Sequence, residues 1–121
     1  MPATDQLRDA RMSDYRPIDS AELARTLFRA NLAGARVGLT SVCSAHPLVL
    51  RTACESARDA GQVALIEATC NQVNQEGGYT GMTPGDFVAR ARRAATAAGL
   101  PAARLLPVSY THLTLPTIYS V

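Results

Sequence analysis

Val63-Ala-Leu-Ile-Glu-Ala-Thr-Cys-Asn-Gln-Val-Asn-Gln-Glu-Gly-Gly-Tyr-Thr-Gly-Met-Thr-Pro-Gly-Asp-Phe87 reads as three elements in succession. The run from Val63 to Glu67 is short and almost continuously apolar, the pattern of a strand buried on both sides. About fifteen residues follow that are dense in amides, hydroxyls and glycines, and connections that long inside compact domains are often functional. Thr83 then stands as a helix N-cap, with Pro84 just inside and Asp86 three residues on, as in a capping box.

Working outward, the same alternation recurs. Upstream, Ser20 resembles an N-cap with Glu22 in the first turn, Leu23, Leu27 and Phe28 recur at helical spacing, and Gly34 supplies the stop. Residues 37–42 read as a strand. Pro47 opens a helix to about Ala60 that groups Val49, Ala53, Cys54 and Ala57 on one face, and Gly61 ends it. Downstream of Thr83, Phe87, Ala91, Ala94, Ala95 and Ala98 form a narrow apolar face closed by Gly99, and Leu105-Leu106 begins a third strand. The order helix, strand, helix, strand, helix, strand predicts an α/β fold with parallel strands. Both a (β/α)8 TIM-type barrel and a doubly wound sheet fit it. In either, ligands gather at the carboxyl ends of the strands, which places His46, Glu67 and the polar block on one face.

Bulk properties exclude several classes. The chain has 121 residues, 47% of them hydrophobic, and a formal net charge of +2, so nothing argues for nucleic-acid binding. No apolar run is long enough for a membrane span and no signal peptide is visible. Cys43, Cys54 and Cys70 are odd in number and widely spaced, which argues against disulfides and a zinc knuckle and fits a reduced, cytoplasmic setting. Residues 1–19 are polar and weakly patterned, as in a loose arm; residues 20–107 carry the βα units.

Residues 108–121 differ in composition from the rest, with no charged residue and no Ala. Val108-Ser-Tyr-Thr-His-Leu-Thr-Leu-Pro-Thr117 is similar to the translation of a transposase-based sequencing adapter. That resemblance implies a non-native tail and removes Tyr110, His112 and Tyr119 from the candidate site.

Within the remainder, Glu67 follows four apolar residues, where a carboxylate needs either a partner or a function. It is the candidate acid/base, against a structural ion pair. His46 is a candidate ligand, against a helix-capping role before Pro47. Asn71, Gln72, Asn74 and Gln75 offer donors and acceptors to sugar hydroxyls, or else satisfy their own loop. Gly77 and Gly78, with Tyr79 and Thr80, complete the substrate-binding set; Gly77, Gly78 and Gly81 fit a phosphate cradle or simply turns. The cysteines read as small buried side chains, and Arg90, Arg92 and Arg93 as a solvated face favourable to the helix dipole.

Two segments together, Ser41-Val-Cys-Ser-Ala-His-Pro-Leu-Val-Leu50 and the block from Ile66 to Phe87, closely resemble the accessory, non-catalytic subunit family of class II D-tagatose-bisphosphate aldolase. The likeness runs from about Arg36 to Leu106, with Cys70 where Ser is common in the family and Glu76 where an aromatic is often seen. It implies the N-terminal part of a (β/α)8 barrel, truncated in or before its third strand and inactive by itself. It also implies a catalytic aldolase subunit as partner and a sugar phosphate as ligand, in galactitol or amino-sugar catabolism. A Gly-Gly-Asp-His-Leu-Gly-Pro segment is expected after Leu106. A divalent metal such as zinc is the cofactor implied for the full-length assembly, with His46 or Glu67 as a candidate ligand. Some members of the broader family look like metal-assisted tagatose 6-phosphate 4-epimerases, which leaves an enzyme as the alternative reading.

Overall fold

The structure, a computed structural model, describes residues 20–109. Within the described residues the elements follow in order: α1 (Ser20–Leu32), β1 (Ser41–Cys43), α2 (Pro47–Ala60), β2 (Ala64–Ala68), α3 (Pro84–Ala98) and β3 (Leu105–Ser109), with a 3-10 turn at Ala102–Arg104 before β3. The strands form one parallel sheet in the order β1-β2-β3. Sequential parallel strands joined through helices are the repeat of a TIM-type barrel, so the α/β expectation holds.

The helix ends are set locally. Thr83 and Asp86 form the expected capping box: the Thr83 N–H donates to Asp86 Oδ2 at 3.0 Å and the Asp86 N–H to Thr83 Oγ1 at 3.3 Å. Gly61 and Gly99 close α2 and α3 in the left-handed region, at φ 66° and 75°, which glycine enters without steric cost.

Side-chain parity divides the core in two. Ala64, Ile66 and Ala68 of β2 alternate to one face and pack with Leu50, Cys54 and Ala57 of α2 and Phe87, Ala91, Ala95 and Ala98 of α3. Val63, just before β2, belongs instead to a cluster with Leu23, Leu27 and Ala30 of α1, against which Val37, Leu39 and Leu106 also pack. Leu106 pairs with Leu65 and so shares the face opposite Ile66. Helix α1 therefore covers that opposite face, at the amino-terminal end of the strands.

Several local expectations are corrected. Ser20 is already helical, and the residue before it lies outside the described residues. Phe28 is exposed; Ala30 takes its place in the core. On α2, Leu50 is buried while Val49 is largely exposed, a one-residue rotation of the predicted face. Strand β1 is shorter and later than residues 37–42, because it pairs with β2 over three residues only and the preceding Val37 and Leu39 pack on the α1 cluster. Strand β2 has one buried face, not two: Leu65 and Glu67 are half-buried. The arm expected over residues 1–19 lies outside the described residues. Of the tail segment, Val108 and Ser109 pair in β3, and residues 110–121 lie outside the described residues.

Candidate functional site

Because all three strands are parallel, their carboxyl ends meet at one edge. In register, Cys43 of β1 is the partner of Glu67, and Glu67 the partner of Val108. These three form a row on the face turned away from α2 and α3. The Glu67 carboxylate has no hydrogen bond or ion pair among the described residues. The ion pairs Arg51–Glu55 and Arg58–Asp59 lie on the exposed surface of α2 and leave it untouched.

His46 sits directly after β1 as the N-cap of α2. Its Nδ1 accepts the Leu48 N–H at 3.1 Å, so the ring proton is carried on Nε2, and its own backbone N–H donates to Ser44 Oγ at 3.1 Å. A helix cap therefore engages one ring nitrogen, leaving Nε2 as the atom able to meet a ligand.

The polar block after Glu67 is largely self-satisfied, which explains how a connection this long keeps one shape. Asn74, buried, donates through Nδ2 to Cys70 O at 2.6 Å and accepts at Oδ1 from Glu76 N at 2.8 Å and Gly78 N at 3.2 Å. Thr80 donates its hydroxyl to Gln72 O and accepts from Met82 N, and Val73 bridges Met82. Gln72 accepts at Oε1 from Thr69 N at 2.8 Å and from the Cys43 thiol at 3.6 Å. Asn71, Gln75, Glu76 and Tyr79 are among its exposed members.

Gly77 and Gly78 stand where the loop packs closely on itself. A Cβ on Gly78 would lie 2.5 Å from Gln72 O, and Gly77 and Gly78 have φ of 105° and 58°. At the start of α3 the Asp86 carboxylate already sits on the Thr83 N–H. That hydrogen bond, then the one from the Thr83 hydroxyl side of the box, holds Asp86 below its usual range. A phosphate approaching this helix end would meet the chain's own anion.

Sequence reasoning overlooked Cys43. Read as buried, it is exposed at the strand end beside Glu67; Cys70 is half-buried, and Cys54 alone fits the expectation. Burial, with Glu55 nearby, pushes the Cys54 thiol up. Period-2 parity with the neighbouring strand would have found Cys43. Arg90 is likewise half-buried, its Nη1 reaching the Ala45 carbonyl at 3.4 Å, and Arg92 and Arg93 lie before the last turn of α3. Among the described residues no three His, Cys, Asp or Glu side chains assemble into a metal-binding group, so these residues alone do not fit a metal ion. No described helix is long and apolar enough to cross a membrane. A groove of about 400 Å³ lies between the segment leading into β1, the later turns of α2 and the start of β2, lined by Gly38, Leu39, Val42, Ala53, Ala57 and Ala64 among others, and includes none of the candidate residues.

Comparison with known proteins bears on the family of the chain. Residues 24–115 match the family described as D-tagatose-1,6-bisphosphate aldolase subunit GatZ/KbaZ-like. The chain is 55% identical over 84 residues to the D-tagatose 6-phosphate 4-epimerase of Agrobacterium fabrum, covering 69% of this chain and 20% of that protein. It is 57% identical over 63 residues to the D-tagatose-1,6-bisphosphate aldolase subunit GatZ of Escherichia coli O1:K1, covering 52% and 15%. Among solved structures it is similar to a probable tagatose 6 phosphate kinase from Sinorhizobium meliloti 1021, with a TM-score of 0.57 and 48% identity over 60% of this chain and 19% of that one. The chain thus spans a fifth or less of the relatives it matches. Over that span it belongs to the D-tagatose-1,6-bisphosphate aldolase subunit GatZ/KbaZ-like family.

Proposed function

We propose that the full-length protein is the non-catalytic subunit of a class II tagatose-bisphosphate aldolase, supporting the stability and activity of a catalytic partner in galactitol or amino-sugar catabolism. The observation that carries this reading is the family match over residues 24–115. On this reading the carboxyl ends of β1 to β3 form one wall of a sugar-phosphate site in a cytoplasmic assembly. Glu67 faces that site, and His46 Nε2 and the exposed amides of Asn71 and Gln75 lie on the same edge of the strands.

A second reading is a free-standing tagatose 6-phosphate 4-epimerase, metal-assisted, working by retro-aldol cleavage and re-addition. Two observations favour it. The match to the Agrobacterium epimerase is longer than that to the aldolase subunit, 84 residues against 63. Glu67, half-buried and unpaired among the described residues, suits an acid/base. Here Glu67 takes the proton of the C4 hydroxyl as the C3–C4 bond breaks. It returns that proton when the enediolate adds to the other face of the aldehyde. Any metal in either assembly draws its further ligands from outside the described residues.

Expression of the full-length protein alone separates the two readings. Copurification with a catalytic aldolase subunit, with no turnover of tagatose 6-phosphate by the protein alone, supports the first. Turnover without a partner overturns it in favour of the second.

A further inference from the structure

We infer that Gln72 is a specificity-determining residue whose carboxamide is locked so that it presents only N–H donors to a ligand oxygen beside Glu67. The inference rests on the sugar-phosphate reading of the site above.

The lock follows from the two donors that converge on one oxygen. The Thr69 backbone N–H lies 2.8 Å from Gln72 Oε1 and the Cys43 thiol 3.6 Å from it. A backbone N–H can only donate, so the amide cannot turn its NH₂ group toward Thr69 without setting donor against donor. The backbone of Gln72 is held as firmly: its N–H donates to Thr69, and its carbonyl accepts from the Thr80 hydroxyl and N–H. The side chain thus joins the end of β1 to the exit of β2, and the backbone carbonyl of the same residue holds the far limb of the loop.

With both acceptor positions of Oε1 engaged, Nε2 is the atom left. It has no partner among the described residues and is not a buried, unsatisfied atom. Cys43, to which Oε1 is tied, is the register partner of Glu67. A fixed pair of donors is therefore tied, through Cys43, to the strand position paired with a carboxylate acceptor. That combination suits a ligand that offers an oxygen acceptor, a carbonyl or a phosphoryl oxygen, close to a hydroxyl that can donate to Glu67. A ketose phosphate carries both.

Calorimetric titration of the full-length protein with D-tagatose 6-phosphate tests this, together with thermal melts. Gln72→Glu keeps an oxygen for Thr69 and Cys43 but replaces the donors with an acceptor. The expected result is a wild-type melting temperature with binding weakened at least about tenfold, a loss that persists at high salt, where the added charge is screened. Gln72→Ala is expected to lose both binding and stability. Undiminished binding by Gln72→Glu overturns the inference. So does a Gln72→Glu protein that fails to fold, or a Gln72→Ala protein as stable as wild type, because either means that the oxygen lock is not what holds the loop. Absence of binding by the wild type overturns the sugar-phosphate reading itself, and this inference with it; binding by wild type and Gln72→Glu alike overturns the inference alone.

Discussion

Cys43 and Glu67 are register partners across the β1–β2 pair, on the face of the sheet away from α2 and α3. One pairing thus brings an exposed thiol and a half-buried carboxylate together at the carboxyl edge of the sheet, although they lie in different segments of the sequence.

Glu67 separates function from stability. With no partner among the described residues, its charge contributes no ion pair to the fold, and a half-buried lone carboxylate is if anything a cost. Glu67→Gln in the full-length protein is expected to change stability by less than about 0.5 kcal/mol. Turnover by the protein, alone or with its partner, should fall about 100-fold or more if the carboxylate acts as acid/base. Matched thermal melts and rate measurements check both halves.

Gly78 and Gly81 allow a controlled comparison. Both have positive φ, 58° and 75°, but a Cβ at Gly81 meets nothing within 4 Å while one at Gly78 meets the Gln72 carbonyl at 2.5 Å. Gly81→Ala should cost only the left-handed backbone term, about 1–2 kcal/mol. Gly78→Ala should cost a further 1 kcal/mol or more, roughly the scale of overpacking strain, in denaturant titrations.

The capping box predicts an acid-sensitive helix start. Thr83→Ala should destabilise by about 1 kcal/mol, the usual size of a lost N-cap. Asp86 is held below its ordinary value by the Thr83 N–H and then the Thr83 hydroxyl, with Arg93 adding to the same direction. A depressed carboxylate contributes stability that is present above its unfolded value and lost as pH falls through the folded one. Asp86→Asn should therefore lower stability at neutral pH, where the charged box is intact, and flatten the acid limb of the profile, from the ordinary aspartate value down through the depressed one. Melting temperatures across that acid range check it.

The thiols should react in order of exposure. Cys43 is exposed, whereas Cys54 is fully buried with its thiol pushed up by burial. Alkylation followed by peptide mass analysis should label Cys43 first and Cys54 only after denaturation.

The parts of this fold that were legible in the sequence are those decided locally. Gly61, Gly99 and the Thr83–Asp86 box mark helix ends through their own backbone geometry, and the structure has them where the sequence predicts. The phase of each helix was less legible. A 3.6-residue period reveals a stripe, but Phe28 against Ala30 and Val49 against Leu50 are chosen by what packs opposite. The polar block was visible as a block. Which of its amides turn inward was not, because Gln72 is oriented by Cys43, 29 residues away, and Asn74 by carbonyl and amide groups that converge only once the loop is closed.

The most direct test of the account is a crystal structure of the full-length protein with D-tagatose 6-phosphate. The sugar phosphate is expected at the carboxyl ends of the strands, with a hydroxyl on Glu67 and an oxygen on Gln72 Nε2. A ligand bound at the amino-terminal end near α1, or on the outer helices with Glu67 untouched, would contradict it.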